Sequence, residues 1–136
     1  MGRFIISRTA AGDIFTLQTS NGRTLAVSKP YATLDACKKA ICSLVYYAPV
    51  VPVVDTSAGE YGPNPKFELF EGDEGLMYAM KSANGKSVLI QGPFATRKAA
   101  LRSMSMLRQG VQGAEIVLAA PETLKRLTVK NLIKDK

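Results

Sequence analysis

The chain repeats itself. Phe4 set against Phe67 fixes an offset of 63 residues, and at that offset the two halves run in step without a gap. Gly12 meets Gly75, Asn21-Gly22 meets Asn84-Gly85, and Pro30-Tyr31-Ala32-Thr33 meets Pro93-Phe94-Ala95-Thr96. Ala36/Ala99, Leu44/Leu107 and Val54/Val117 are further identities. Phe15/Tyr78, Leu17/Met80, Arg23/Lys86, Leu25/Val88, Val27/Ile90 and Ile41/Met104 are conservative pairs. Self-similarity at such a period means one supersecondary unit present twice. The shared residues belong to turns, caps and core faces, and none is a chemical signature.

Each half starts with an alternating strand, Arg3 to Arg8 or Lys66 to Phe70, and a glycine-containing turn comes next. Ile14 to Thr19 and Met77 to Ser82 predict second strands, with Phe15 and Leu17 inward. The Asn-Gly pairs between alternating runs predict type I′ hairpins, with positive φ at both central residues. Third strands fall at Arg23 to Ser28 and Lys86 to Gln91, with Leu25 and Val27 or Val88 and Ile90 inward. Pro30 and Pro93 are read as the stops of these strands. Thr33 and Thr96 then stand where helix N-caps belong. Helices over 34–47 and 97–109 carry matching apolar stripes, Cys37-Ile41-Leu44-Ala48 and Ala100-Met104-Leu107-Val111, on one face each. Further β-rich runs come after them, Val50 to Asp55 and Glu115 to Ala119. The unit is βββαβ, twice. Residues 3–58 and 66–120 form the repeats of one compact domain, 1–120, joined through a Gly- and Pro-containing linker at 56–65.

This pattern resembles the YegP-like family, small bacterial proteins catalogued as a domain of unknown function. The match rests on Phe4, Gly12, Phe15, Leu17, Asn21, Gly22, Ser28, Tyr31, Ala36, Ile41 and Ser43. In the second half it rests on Phe67, Gly75, Tyr78, Met80, Asn84, Gly85, Phe94, Ala99 and Met104. The resemblance implies an α+β fold in which the two units form a single antiparallel-rich sheet, pack two helices on one face and exchange their last strands. It implies no catalytic or binding residue. The family's Asn-Gly-Ile before the apolar helix face is replaced here by Lys39-Ala40-Ile41 and Arg102-Ser103-Met104.

The chemistry of the chain points away from catalysis. There is no His, so the commonest general base and metal ligand is missing. Glu71, Asp73 and Glu74 cluster in a hairpin turn, where acidic residues face water. Gly72-Asp73-Glu74-Gly75 joins two strands and lacks the Lys-Ser or Lys-Thr of a phosphate cradle. Cys37 and Cys42, five residues apart on a helix, diverge by about 140° and are read as small fillers, since metal binding would need more ligands. No enzyme, cofactor or metal is expected.

The N-terminus lacks the apolar core of a signal peptide. The longest apolar run, Leu44 to Val54, contains two prolines and is too short to span a bilayer. The expected setting is therefore cytoplasmic, away from membranes. The function expected is a structural or protein-interaction module, acting as monomer or homodimer on an unidentified protein partner.

The alternative is weak nucleic-acid binding, because the formal charge is +7. Its contacts would be Lys38, Lys39, Arg97, Lys98, Arg102 and Arg108 on the helices, with Lys125, Arg126 and Lys130 of the tail. Against it, the aromatic residues needed beside such charge are read as core, leaving only Tyr46, Tyr47 and Tyr61 exposed. Residues 121–136 form a basic extension predicted as a short helix, with Leu124, Leu127 and Leu132 on one side. They are expected to cover an apolar outer sheet face that includes Phe70, Met77 and Leu89.

Overall fold

The computed structural model describes residues 2–119. In chain order the elements are β1 (Gly2–Thr9), β2 (Gly12–Thr19), β3 (Thr24–Val27), α1 (Leu34–Tyr47) and β4 (Val53–Asp55). A 3-10 turn at Thr56–Ala58 leads to β5 (Lys66–Gly72), β6 (Gly75–Lys81), β7 (Ser87–Phe94), α2 (Arg97–Gly110) and β8 (Glu115–Ala119). Both helices start as expected. Thr33 accepts from the Ala36 N–H at 3.1 Å, and Thr96 accepts from the Ala99 N–H at 3.0 Å. Each such cap contributes about 1 kcal/mol.

The α+β class and the exchange of last strands hold. β8 closes the second unit in sequence, yet it lies parallel to β1, with Phe4 opposite Ile116 and Ser7 opposite Ala119. β4 likewise runs parallel to β5 of the other half, pairing Val53 with Phe67. The single sheet, however, is two four-stranded sheets, ordered β3-β2-β1-β8 and β4-β5-β6-β7. β3 and β7 are the edges that face each other. They touch at a seam without forming a ladder, and two side chains bridge it. The Tyr31 hydroxyl donates to the Val88 carbonyl at 3.1 Å, and Gln91 Nε2 donates to the Leu25 carbonyl at 3.0 Å. Leu25 and Val88 occupy equivalent positions, so each half satisfies the other's carbonyl, with a different residue doing so.

One core lies between the sheets and the helices. Its largest buried members include Tyr78, Phe4, Phe15 and Phe67. The same aromatic row recurs in each half. Phe4 meets Phe15 edge-on at 5.6 Å, and Phe15 stacks on Tyr31 at 6.5 Å. Phe67 meets Tyr78 edge-on at 5.7 Å, and Tyr78 stacks on Phe94 at 5.6 Å. Each well-placed pair adds about 0.5–1.5 kcal/mol beyond area burial. Cys37 is buried and Cys42 exposed, both as free thiols.

The third strands depart from simple alternation. The β2–β3 register shifts between Leu17 and Gln18, and the β6–β7 register shifts between Met80 and Lys81. An inserted residue reverses which side chains face inward beyond it. Ala26 and Leu89 are therefore buried, while Val27 and Ile90, expected inside, face outward. Pro93 does not stop the third strand of its half, because β7 runs on to Phe94. At its end Leu76 pairs with Phe94, as Asp13 bridges Tyr31 in the other half. The run from Val50 condenses to the three residues of β4.

The Asn-Gly hairpins are also not type I′. Gly22 and Gly85 have φ of 90° and 84°, and no residue other than glycine has positive φ among the described residues. The Gly22 N–H donates to the Thr19 carbonyl at 2.9 Å, and the Thr19 N–H donates to the Arg23 carbonyl at 2.8 Å. These bonds recur from Gly85 to Ser82 and from Ser82 to Lys86. The loop is thus three residues long and closes on a left-handed glycine.

Candidate functional site

A groove of about 670 Å³ opens where the seam meets α2. The first half supplies its wall through Arg23, at the end of the β2–β3 hairpin. The second half supplies Gln91 to Phe94 from β7 and, from α2, Lys98, Arg102, Ser103 and Met106. Local sequence explains the placement. Lys98 and Arg102 are four apart on α2 and share one face. Ala100, Met104 and Leu107 bury the opposite face in the core. Arg23 is brought alongside because the β3 and β7 edges abut. Three cations line the groove and no carboxylate does.

Among the described residues, the expected nucleic-acid contacts do not gather in one place. Lys38 and Lys39 are exposed on α1, outside the groove lining. The Arg97 guanidinium stands 2.8 Å from buried Asp55 Oδ2, an ion pair without hydrogen-bond alignment. Arg108 is half-buried and structural. It donates to the Ala48 carbonyl at 2.9 Å and lies over the Phe67 ring at 4.9 Å, and its burial lowers its pKa. Only Lys98 and Arg102 of the expected helix cations reach the groove. Sequence reasoning misses Arg23 and Gln91, because residues more than sixty positions apart meet only through the seam. The recurrence of a cation at Arg23 and Lys86 is a signal for Arg23, whereas the counterpart of Gln91 is Ser28 and marks nothing. Lys125, Arg126 and Lys130 lie outside the described residues.

The expected apolar face is also redistributed. Phe70 and Met77 are half-buried opposite each other on β5 and β6, but Leu89 is a core residue because of the β7 register shift. Leu124, Leu127 and Leu132, with the predicted tail helix, lie outside the described residues. A separate hollow of about 550 Å³ lies beyond α1, lined by Tyr46, Tyr47, Val50 and nearby prolines. Tyr46 is 73% and Tyr61 91% exposed, and neither lines the basic groove.

Among the described residues, no group of His, Cys, Asp and Glu could hold a metal ion. The groove's side chains include no carboxylate, thiol or imidazole to serve as a base. Among the described residues, no helix is long and apolar enough to cross a membrane.

Comparison with known proteins agrees with this architecture. Residues 14–55 match the family described as a domain of unknown function, DUF1508. No curated protein matches the chain. The structure is similar to that of yegP from E. coli, a protein of unknown function, with TM-score 0.68 and 18% identity over 86% of this chain and 91% of that one. It is equally similar to a UPF0339 protein from Shewanella oneidensis, with TM-score 0.68 and 14% identity over 86% and 90% of the two chains. The chain therefore resembles these YegP-like proteins: residues 14–55 of its first unit match the family model, and its fold is similar to theirs.

Proposed function

We propose that the protein is a non-catalytic binding module that holds a segment of a partner protein in the seam groove. The observation supporting this reading is the groove's make-up: cations from both halves converge beside Phe94 and Met106, with no base among the lining side chains. Concave sites with an apolar floor and a few convergent polar groups are the usual places of binding. A nucleic-acid partner fits less well. Arg97 and Arg108 are engaged internally, and the exposed tyrosines, which a single strand would stack on, stand elsewhere.

The test is an affinity capture from native lysate with two baits, the unaltered chain and Ala99→Trp. Ala99 is exposed on the groove wall, so an indole there should obstruct part of the groove while leaving the core untouched. Proteins retained by the unaltered bait under nuclease treatment and lost on Ala99→Trp are the expected outcome. Equal retention on both baits, or loss on nuclease treatment alone, overturns the reading. Elution from heparin and single-stranded DNA resin at rising salt gives an independent measure of any nucleic-acid affinity.

A further inference from the structure

We propose that the groove recognises an acidic peptide segment, held between Arg23 of one half and Lys98 and Arg102 of the other. This rests on the groove reading above and adds the chemistry of the occupant.

Three observations carry it. The groove's charged lining is entirely cationic, so an anionic segment would neutralise charge that nothing in the groove neutralises. Arginine offers a planar fork of donors suited to carboxylates, and two of the three cations are arginines.

The second observation comes from the equivalent place in the other half. At the offset of 63, Arg23 corresponds to Lys86, Arg102 to Lys39, and Lys98 to Asp35. The sign at one of three positions is reversed there. Tyr31, which stands where Phe94 stands, sends its hydroxyl across to the Val88 carbonyl. The two like places have therefore diverged: the other has Lys29 where Gly92 stands, beside Lys39 and Lys86, but it also has Asp35, and only the place beside α2 has cations without an acid.

The third observation is that Lys98 breaks a local rule. Cations in the first turn of a helix oppose its dipole, and acids are favoured there. α1 obeys, with Asp35 in its first turn, whereas α2 has no acid in its own. Arg97 is offset by Asp55, but Lys98 has no carboxylate within ion-pair distance among the described residues. Such a violation is expected where a position serves binding rather than stability.

The experiment is fluorescence anisotropy of a short labelled peptide rich in Glu and Asp, titrated with the full chain at several salt concentrations. A Lys-rich peptide of equal length and a labelled oligo-dT serve as comparison probes. Arg23→Glu and Arg102→Glu are each expected to weaken acidic-peptide binding by about tenfold or more. Lys39→Glu makes the same charge change at the equivalent position outside the groove and should leave binding within about twofold. Circular dichroism establishes that the variants stay folded, as expected for exposed positions. Equal losses for Arg102→Glu and Lys39→Glu would mean bulk attraction and overturn the inference. So would absence of peptide binding, or tighter binding of oligo-dT that depends on the same residues. If the acidic peptide fails while Ala99→Trp still abolishes protein capture, the groove reading survives and only the acidic occupant falls. If the peptide binds through Arg102 while capture is unaffected by Ala99→Trp, the acidic site stands and the partner reading falls.

Discussion

β4 and β8 occupy equivalent places in the two halves, yet among the described residues one is sealed and the other open. Val54 in β4 is 7% exposed, whereas Val117, its counterpart in β8, is 38% exposed and Leu118 is 56% exposed. Both strands are sheet edges, and both make the same parallel pairing with the first strand of the other half. The difference arises in the chain just beyond β4, which turns back at Thr56–Ala58. Thr56 Oγ1 donates to the Leu69 carbonyl at 3.0 Å, and the Asp55 N–H donates to Glu60 Oε1 at 2.9 Å. Gly62 then lies so close to Val54 that a Cβ there would sit 2.9 Å from Val54 Cγ2. β4 is also short and ends in an inward-facing charge, both devices that blunt an edge. β8 has neither, and among the described residues nothing covers it. Exchange of strands thus holds the halves together, while protection of the β4 edge comes from the segment beyond the strand.

The largest effect is expected from removing the exchange. Residues 1–60 expressed alone keep β1 without β8 and β4 without β5, and about 60 residues is a marginal size for a single core. The fragment should be unfolded by circular dichroism, or should dimerise to rebuild both pairings. A cooperative monomeric transition would show that the exchange contributes little.

Smaller, and aimed at the edges themselves, is the pair Val54→Asp and Val117→Asp. A carboxylate at the buried position should cost about 3 kcal/mol, since burial without a partner penalises charge. At the half-open position it should cost under about 1 kcal/mol. Urea denaturation of the full chain measures both. Equal losses would mean that β8 is as well covered as β4.

The halves differ in titration as well. Cys37 in the first half stands where Ala100 stands in the second, and Tyr78 stands where the first half has Phe15. Burial pushes the Cys37 thiol up to about 11, with nearby Asp13 adding to the effect. Burial pushes the Tyr78 hydroxyl up to about 12, while its hydrogen bond to Ser103 acts the other way. Both folded values exceed the ordinary 9.0 and 10.0. The folded chain therefore holds protons that the unfolded chain has released. Their contribution is complete below about pH 9 and is lost as pH rises to about 12. Between its two values Tyr78 alone accounts for a fall of about 1.4 kcal/mol per pH step of one. Tyr78→Phe should flatten the upper part of this loss in urea midpoints measured against pH. An unchanged profile would mean that Tyr78 does not control alkaline unfolding.

The sequence carried the architecture because a repeat shows the same turn, cap and face twice. Thr33 and Thr96 mark both helix starts, and the apolar stripes place both helices against the core. Register is what it hides. The register shift at the start of β3 and of β7 turns Val27 and Ile90 outward and draws Leu89 inward, and no propensity marks it. The seam is hidden for a related reason: whether β3 and β7 join in one sheet depends on tertiary placement. Arg23 therefore reads as a hairpin residue until β7 and α2 arrive beside it. Arg108 reads as surface charge, because the carbonyl it reaches belongs to Ala48, sixty residues away.

The smallest effect concerns the hairpin tips, where the halves agree most closely. Gly22 has φ of 90°, and a Cβ added there would have nothing within 4 Å, so a side chain meets strain and not collision. Gly85 has φ of 84°, but a Cβ there would lie 3.2 Å from Asn64 Nδ2. Gly22→Val should therefore cost about 1 kcal/mol through backbone conformation alone. Gly85→Val should cost the same or slightly more, depending on whether Asn64 gives way. Because neither tip lines the seam groove, acidic-peptide affinity should stay at the unaltered value in both. Loss of that affinity at unchanged urea midpoint would make the tips part of the binding surface, and the likeness between them a matter of function as well as folding.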